Sequence, residues 1–403
     1  VARTGLAATP LAERIVWLDV LRGAALFGIA QINFPSFASG ALPITALYAA
    51  HASLQLQLLA AFLLFFVSAK FYPIFAFLFG YGHFLQRRRL ERQGIEPGPV
   101  LFRRYLALFA LGVVHGSCFF FGDILTIYGL AGGVLLLSNR TGQGDSKTQV
   151  LTWAGLAGVM AIVSLALEPP APANVHQSWV EMLNQEVAQI RGGHLIDALT
   201  ARAQLYLVMQ FQEITTFLPQ VLMFMSAGIW ASERGVLQHP ERHRELFKRC
   251  IAIGLLVGVP VNLALVAAEL EIVNQLAAPL ALAEALDDTA FFLSLVYLGA
   301  LGLYIAGRPE PNRLAQCLAA MGRLALSNYL VQSLVMMLLW YWTGPGIDGK
   351  GVVPAMAILA LLVCLVQALV SVHWLKHYRQ GPMEALWRRF TYARVTGRVT
   401  EKL

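Results

Sequence analysis

An ionised side chain near the middle of a membrane helix costs about 2.5–3.5 kcal/mol on insertion scales, so each one inside an apolar segment must face a partner or water. This sequence holds several. Asp19 and Arg22 lie three residues apart on one face of the first apolar segment. There they can form an ion pair that fastens helices, or contact a substrate. Lys70 interrupts the second segment just before Phe71-Tyr72-Pro73; its ammonium either snorkels outward or offers a cation to a substrate anion. His115 falls about 16 Å along its helix from Arg104, near the midplane. A midplane imidazole can be merely hydrogen-bonded, or can act as a general base near neutral pH. Asp123 follows at the outer end of that helix, where it can cap the next one. Glu213 is an acid with no base near it in sequence, so its partner must come from another helix, with Lys70 and His115 as choices. Arg323, Ser327, Asn328, Gln332 and Ser333 draw a hydrophilic seam, either glue between helices or a path for substrate. His51, expected at the outer interface, and Gln31 and Asn33, nearer the outer end of the first segment, complete the set.

The elements that must position these groups follow from composition. Of 403 residues 57% are hydrophobic and 13% charged, where a soluble domain carries about 25% charge. Mean hydropathy is +0.61. A water-soluble globule is excluded, and the fold class is all-α and polytopic. We expect about ten membrane spans, near residues 15–34, 62–86, 103–121, 123–138, 150–168, 206–231, 250–268, 289–306, 314–342 and 352–376. Lys and Arg between these spans fall roughly 24 to 3 on one side, which makes that side, and both termini, cytoplasmic. The net charge of +7 is then topology, and nucleic acid needs no place. Asp19 and Arg22 argue against reading the first run as a cleaved signal, so a retained first helix is expected. The organisation is an N-terminal bundle over residues 1–232 with outer loops at 35–61 and 169–205, a basic cytoplasmic loop at 233–249, and a C-terminal transmembrane domain with a basic tail over 250–403. The first loop carries an amphipathic stretch suited to a re-entrant or interfacial helix; the second, with Trp179, Glu181, His194 and Asp197, suits an outer cap over a site. The four cysteines have no metal-ligand spacing, so no metal site is expected. No phosphate-loop motif occurs, which argues against a built-in ATPase.

The segments Arg14-Ile15, Leu18-Asp19-Val20-Leu21-Arg22-Gly23-Ala24-Ala25-Leu26, Gly28-Ile29 and Asn33 resemble the opening of the bacterial YeiB family. The resemblance continues through Lys70-Phe71, Leu78-Phe79-Gly80-Tyr81-Gly82, Arg103-Arg104, Gly112, His115 and Gly122-Asp123-Ile124-Leu125. Its last segments, Gly322-Arg323-Leu324-Ala325-Leu326-Ser327-Asn328-Tyr329-Leu330 and Gly381-Pro382-Met383-Glu384, are similar to that family's C-terminal domain of unknown function 418. The opening is also similar to that of heparan-glucosaminide acetyltransferase and, more distantly, of the membrane O-acyltransferases. Those enzymes pass an acyl group from cytosolic acyl-CoA to an acceptor across the bilayer. In the O-acyltransferases a histidine stands eleven residues after the arginine, where this chain has Asn33. The heparan enzyme also has Asn there and uses a histidine in the following luminal loop, whose nearest counterpart is His51.

The resemblance implies a membrane acyltransferase of the bacterial inner membrane that takes acetyl or another acyl group from CoA to a hydroxyl or amine, on a lipid or glycan, at the outer face. His51 or His115 would be the base, Asn33 a polar stabiliser together with Asn328, and Asp123 a further member of the centre. Such a reaction needs a cationic entry for CoA phosphates, which the cytoplasmic arginines Arg88, Arg104 and Arg388 and the deeper Arg22 and Arg323 could supply. Asp19, Lys70, Glu213, Asn328 and Gln332 would face the substrate, with Asp19 orienting Arg22. The alternative is a transporter or lipid flippase, with Lys70, His115, Asp123 and Glu213 on its path. A scaffold whose polar groups only fasten helices is the third reading. The bilayer is the expected partner, and a homodimer is compatible with the sequence.

Overall fold

Long apolar runs leave a backbone in lipid no water to bond, so its N–H and C=O groups must pair within the segment, as helices do. The computed structural model describes residues 15–38, 53–140, 145–167, 188–189, 195–269, 289–308, 310–343 and 352–393, and no strand occurs among them. In chain order the helices are α1 (Val16–Ala38), α2 (Leu54–Phe66), α3 (Phe71–Arg92), α4 (Pro97–Cys118), α5 (Leu125–Arg140), α6 (Ser146–Leu167) and α7 (Leu195–Glu233). Then come α8 (Arg244–Ile253) and α9 (Val259–Glu269), joined by a π-helical turn at Gly254–Gly258, and α10 (Phe292–Ala306), α11 (Arg313–Arg323), α12 (Ala325–Thr343), α13 (Val352–His377) and α14 (Pro382–Thr391).

Among the described residues four stretches are long and apolar enough to cross a bilayer: Leu54–Arg92, Pro97–Cys118, Pro240–Ala268 and Pro354–His377. The pair α11 and α12, bent by 80°, makes a fifth if it is one span. The outward faces agree. Leu361, Leu362, Leu365, Val366, Leu369 and Val370 of α13 are exposed, as are Phe102, Leu106, Phe109 and Val114 of α4. Apolar faces of this extent are covered by lipid rather than water. The chain is a membrane protein.

Inside, one cluster joins α1 (Leu26, Phe34), α5 (Tyr128, Leu135), α7 (Val221, Met225), α12 (Met336) and α13 (Cys364). A second joins α1 (Leu18, Leu21), α3 (Leu78, Tyr81) and α8 (Phe247). The crossing of α1 on α11 is close enough to demand glycine on both sides. A Cβ on Gly322 would lie 1.9 Å from the Asp19 carbonyl oxygen, and one on Gly23 2.0 Å from that of Leu318. Small residues at crossings of this kind let membrane helices approach backbone to backbone.

Two of the expected spans are broken. The run expected over 62–86 is divided between α2 and α3 by a turn at 67–70. There Ala69 takes a left-handed backbone (φ 59°), a conformation costing about 1–2 kcal/mol for a residue with a Cβ. Lys70, one reading of which has it snorkelling outward, is wholly buried and donates from Nζ to the Leu64 carbonyl at 2.6 Å. A cation on the last carbonyls of α2 is favoured by that helix's dipole. The run expected over 314–342 divides at Leu324 into α11 and α12. The reason is a remote cap. Glu384 of α14 accepts the Leu326 and Ser327 backbone N–H groups at 2.8 and 3.1 Å and the Ser327 hydroxyl at 2.5 Å. A helix start needs its first donors satisfied, and here the acceptor arrives from the far end of the domain.

Candidate functional site

The last turn of α4 and the first of α5 face each other across the turn at 119–124. Gly112 permits the approach, because a Cβ there would meet the Thr126 nitrogen at 2.4 Å and an Asp123 oxygen at 2.7 Å. His115 Nδ1 and Asp123 Oδ1 lie 2.7 Å apart, with the two side chains 1% and 0% exposed. Asp123 Oδ2 accepts the Thr126 N–H and the Thr126 hydroxyl, each at 2.8 Å. Since that hydroxyl donates to Asp123, Tyr206 OH, 2.7 Å away, donates to Thr126. Gln210 bonds the Asp123 carbonyl at 3.2 Å. Asp123 thus both caps α5 and holds His115.

A carboxylate can only accept, so Nδ1 carries the proton of this bond and Nε2 of the neutral ring carries a lone pair. Nε2 is buried and has no hydrogen-bond partner among the described residues. The ring packs beside Tyr329 of α12 at 5.1 Å and stacks on Phe119 at 6.2 Å. Arg202, 2% exposed, donates to the Cys118 and Phe119 carbonyls at 3.3 Å and so places a cation on the C-terminal end of α4. An imidazole fixed by a carboxylate, with its other nitrogen unspent, is the arrangement of a general base.

At the opposite end of α4 a second polar group gathers. Arg104 lies over the rings of Phe79 at 5.3 Å and Trp387 at 4.4 Å, and its Nη1 donates to Gln86. Trp387 Nε1 returns a bond to the Arg104 carbonyl at 2.9 Å, and Arg103 donates to the Thr391 carbonyl at 3.3 Å. Gln86 also bonds Tyr392 OH at 2.9 Å. Amphipathic α14 is thereby laid across the ends of α3 and α4. Arg388 sits 5.4 Å from the Tyr392 ring, and Arg88 5.5 Å from that of Phe84. Burial, reinforced by Arg89, holds the Arg388 guanidinium below its ordinary range despite the opposing pull of Tyr392. Arg22 pairs with Asp19 at 3.1 Å and lies within electrostatic reach of Arg104. Arg323 donates to the Arg379 carbonyl at 3.1 Å.

The other predicted residues fall elsewhere. Asn328 donates to the Met321 carbonyl and to Ser371, both at 3.1 Å, and Gln332 donates to Gln367 at 2.8 Å. These amides tie α12 to α13. Asn33 is half-buried in the C-terminal half of α1, and Lys70 closes α2 as described. His51 and the Glu213 side chain lie outside the described residues. Lys70 and His115 are the partners expected for Glu213; the carboxylate that His115 holds is Asp123. Thr126, Tyr206, Gln210 and Arg202 join the site without any motif that marks them. The signal for three of them was available, since Arg202, Tyr206 and Gln210 recur every fourth residue and so line one face of apolar α7. Among the described residues no group of three or more His, Cys, Asp or Glu side chains could hold a metal ion.

These features define a polytopic helical membrane protein with a buried histidine–carboxylate pair near one end of α4 and an arginine cluster at the other. Residues 231–394 match the model of a protein family of unknown function, DUF418. The chain is 32% identical to the uncharacterized protein YxaH of Bacillus subtilis over 94% of each chain. It is 29% identical to an uncharacterized 39.9 kDa protein of Bacillus acidopullulyticus over 95% of each. To the uncharacterized protein YeiB of Escherichia coli it is 28% identical, over 94% of this chain and 96% of the relative. The chain belongs to this YeiB/DUF418 family. No solved structure matches it.

Proposed function

We propose that the protein is an acyltransferase of the bacterial inner membrane. It passes an acetyl or other acyl group from CoA on the cytoplasmic side to a hydroxyl or amine at the outer face. In this reading about ten helices span the bilayer with both termini inside. The observation that carries it is the His115–Asp123 pair, bonded at 2.7 Å with Nε2 unspent. His115 Nε2 takes the proton from the acceptor as its oxygen or nitrogen attacks the thioester carbonyl. Asp123 stabilises the imidazolium so formed, and His115 returns the proton to the departing thiolate as the carbon–sulfur bond breaks. The arginine cluster meets the phosphates of the donor. Eleven residues of α4 separate Arg104 from His115, about 16 Å of helix, a span that an extended pantetheine arm can bridge. With Asn328 and Gln332 engaged between α12 and α13, the oxyanion is left to other donors on this side of the bundle.

The test is direct. Purified full-length protein in detergent, given radiolabelled acetyl-CoA, should release CoA slowly or transfer label to added acceptor, and His115→Ala should abolish this while still binding CoA. No thioester binding at millimolar acetyl-CoA would overturn the reading in favour of a transporter, in which the same buried pair would carry protons.

A further inference from the structure

At the arginine-rich end two buried N–H groups are unspent. His83, 2% exposed on α3, bonds Tyr105 of α4 through Nδ1, and the two rings lie nearly parallel at 5.9 Å. Its Nε2 has no partner among the described residues, and neither has the buried Nε of Arg104. The tautomer follows from counting orphans. If Nδ1 donated, the Tyr105 hydroxyl hydrogen and the Nε2 lone pair would both be stranded. If Tyr105 donates, a single donor, Nε2–H, remains, and leaving fewer buried groups unpaired is favoured. Arg104 and Arg87 lie within electrostatic reach of the ring.

The charges do not cancel. Arg22 is paired with Asp19 at 3.1 Å and Arg87 with Glu91 at 3.0 Å. Arg104 has aromatic faces and a Gln86 oxygen but no carboxylate among the described residues. An uncompensated guanidinium within a membrane helix is expensive, and its natural complement is a bound anion. Gly82, beside His83, faces Arg22: a Cβ there would stand 3.2 Å from Arg22 Nη2.

We propose that His83 Nε2–H and Arg104 Nε–H bind a phosphate or diphosphate group. Several oxygens on one centre can accept N–H donors from α3 and α4 at once, and the planar guanidinium suits that geometry. The proposal deepens the reading of this end as the donor's entrance and rests on it only for which molecule brings the phosphate. A nucleotide thioester and an anionic phospholipid headgroup offer the same chemistry.

The experiment therefore measures binding alone. Full-length protein in lipid-free detergent is titrated by calorimetry with inorganic pyrophosphate, CoA and dihexanoyl phosphatidic acid. Wild type should bind pyrophosphate, less tightly as salt rises. His83→Phe, which keeps the ring stacked on Tyr105, should weaken binding about tenfold or more, the loss of one charge-assisted hydrogen bond. If that variant fails to fold, Arg104→Lys decides, since it keeps the charge and loses the Nε–H, and should weaken binding similarly. Competition by CoA assigns the phosphate to a nucleotide, and competition by phosphatidic acid alone assigns it to lipid; either supports the site. Failure of all three probes at millimolar concentration overturns it, as does equal binding by wild type and the variant that folds. CoA binding indifferent to His83 and Arg104 would sink this site and leave the entrance standing, whereas pyrophosphate binding without acetyl-CoA turnover would do the reverse.

Discussion

Replacing Asp123 by Asn exchanges one oxygen for an amide nitrogen and leaves the shape of the side chain almost intact, so its effect is confined to who donates to whom. Thr126 decides the orientation of the new amide. Its backbone N–H and its hydroxyl both point at the Oδ2 position from 2.8 Å, so the amide oxygen must sit there and the NH₂ must take the Oδ1 position, 2.7 Å from His115 Nδ1. Nδ1 is then forced to accept, and the ring proton moves to Nε2, the nitrogen that would have acted as base. A comparable carboxylate-to-amide change in a serine-protease triad lowers kcat about 10⁴-fold through the wrong tautomer, and we expect roughly 10³–10⁴ here. The folded state should lose only about 1–2 kcal/mol, the difference between charge-assisted and neutral bonds. The assay is release of CoA from acetyl-CoA with and without acceptor, alongside the thermal unfolding midpoint in detergent. KM for the donor should hardly change, because the pair lies far from the arginines. A variant that stays folded and keeps its rate within threefold of wild type would refute the assignment of His115 as base.

Two further outcomes follow from packing and capping. Gly322→Ala would set a methyl group 1.9 Å from the Asp19 carbonyl oxygen. The α1–α11 crossing must then open by about 1.5 Å to reach ordinary contact, at a cost of about 3 kcal/mol. Gly133→Ala, with nothing within 4 Å of the new methyl, should be neutral or gain up to about 1 kcal/mol; equal unfolding midpoints for the two would contradict the crossing. Asp145 caps α6, accepting the Thr148 N–H at 2.8 Å and its hydroxyl at 2.7 Å, and these bonds hold its carboxyl below the ordinary 3.8. A depressed folded value means the cap's contribution is full above pH 3.8 and is lost as pH falls below it through the folded value. Hydrogen exchange at Thr148 should therefore speed up, relative to the α6 interior, only below that pH, and Asp145→Ala should remove the dependence.

How far the sequence could be read depended on distance along the chain. The Asp19–Arg22 pair was legible because three residues of helix place both groups on one face, and the bond is there at 3.1 Å. His115 and Asp123 each stood out, yet their pairing did not. Eight residues is the wrong spacing for one helix, and only the chain reversal at 119–124 brings them together. The break at Leu324 was hidden for a stronger reason, since its cap, Glu384, arrives from 58 residues away. His83 is masked by its neighbours: beside the arginine run of α3 nothing in the sequence marks it, and only the facing helix, with Tyr105, shows that it is buried and half-satisfied.

The C-terminal part of the chain is built into both polar centres. The single helix α4 carries both Arg104 and His115, so their separation is set by helical rise and not by loops. The residues that complete each centre come from the C-terminal part. Tyr329 of α12 closes on His115, and Trp387 of α14 covers Arg104. Those two residues are held in one frame by Glu384, which bonds the first turn of α12 from within α14. A single carboxylate thus ties the element beside the histidine to the element over the arginine, and the region matched by the family model, 231–394, supplies a wall to both centres at once.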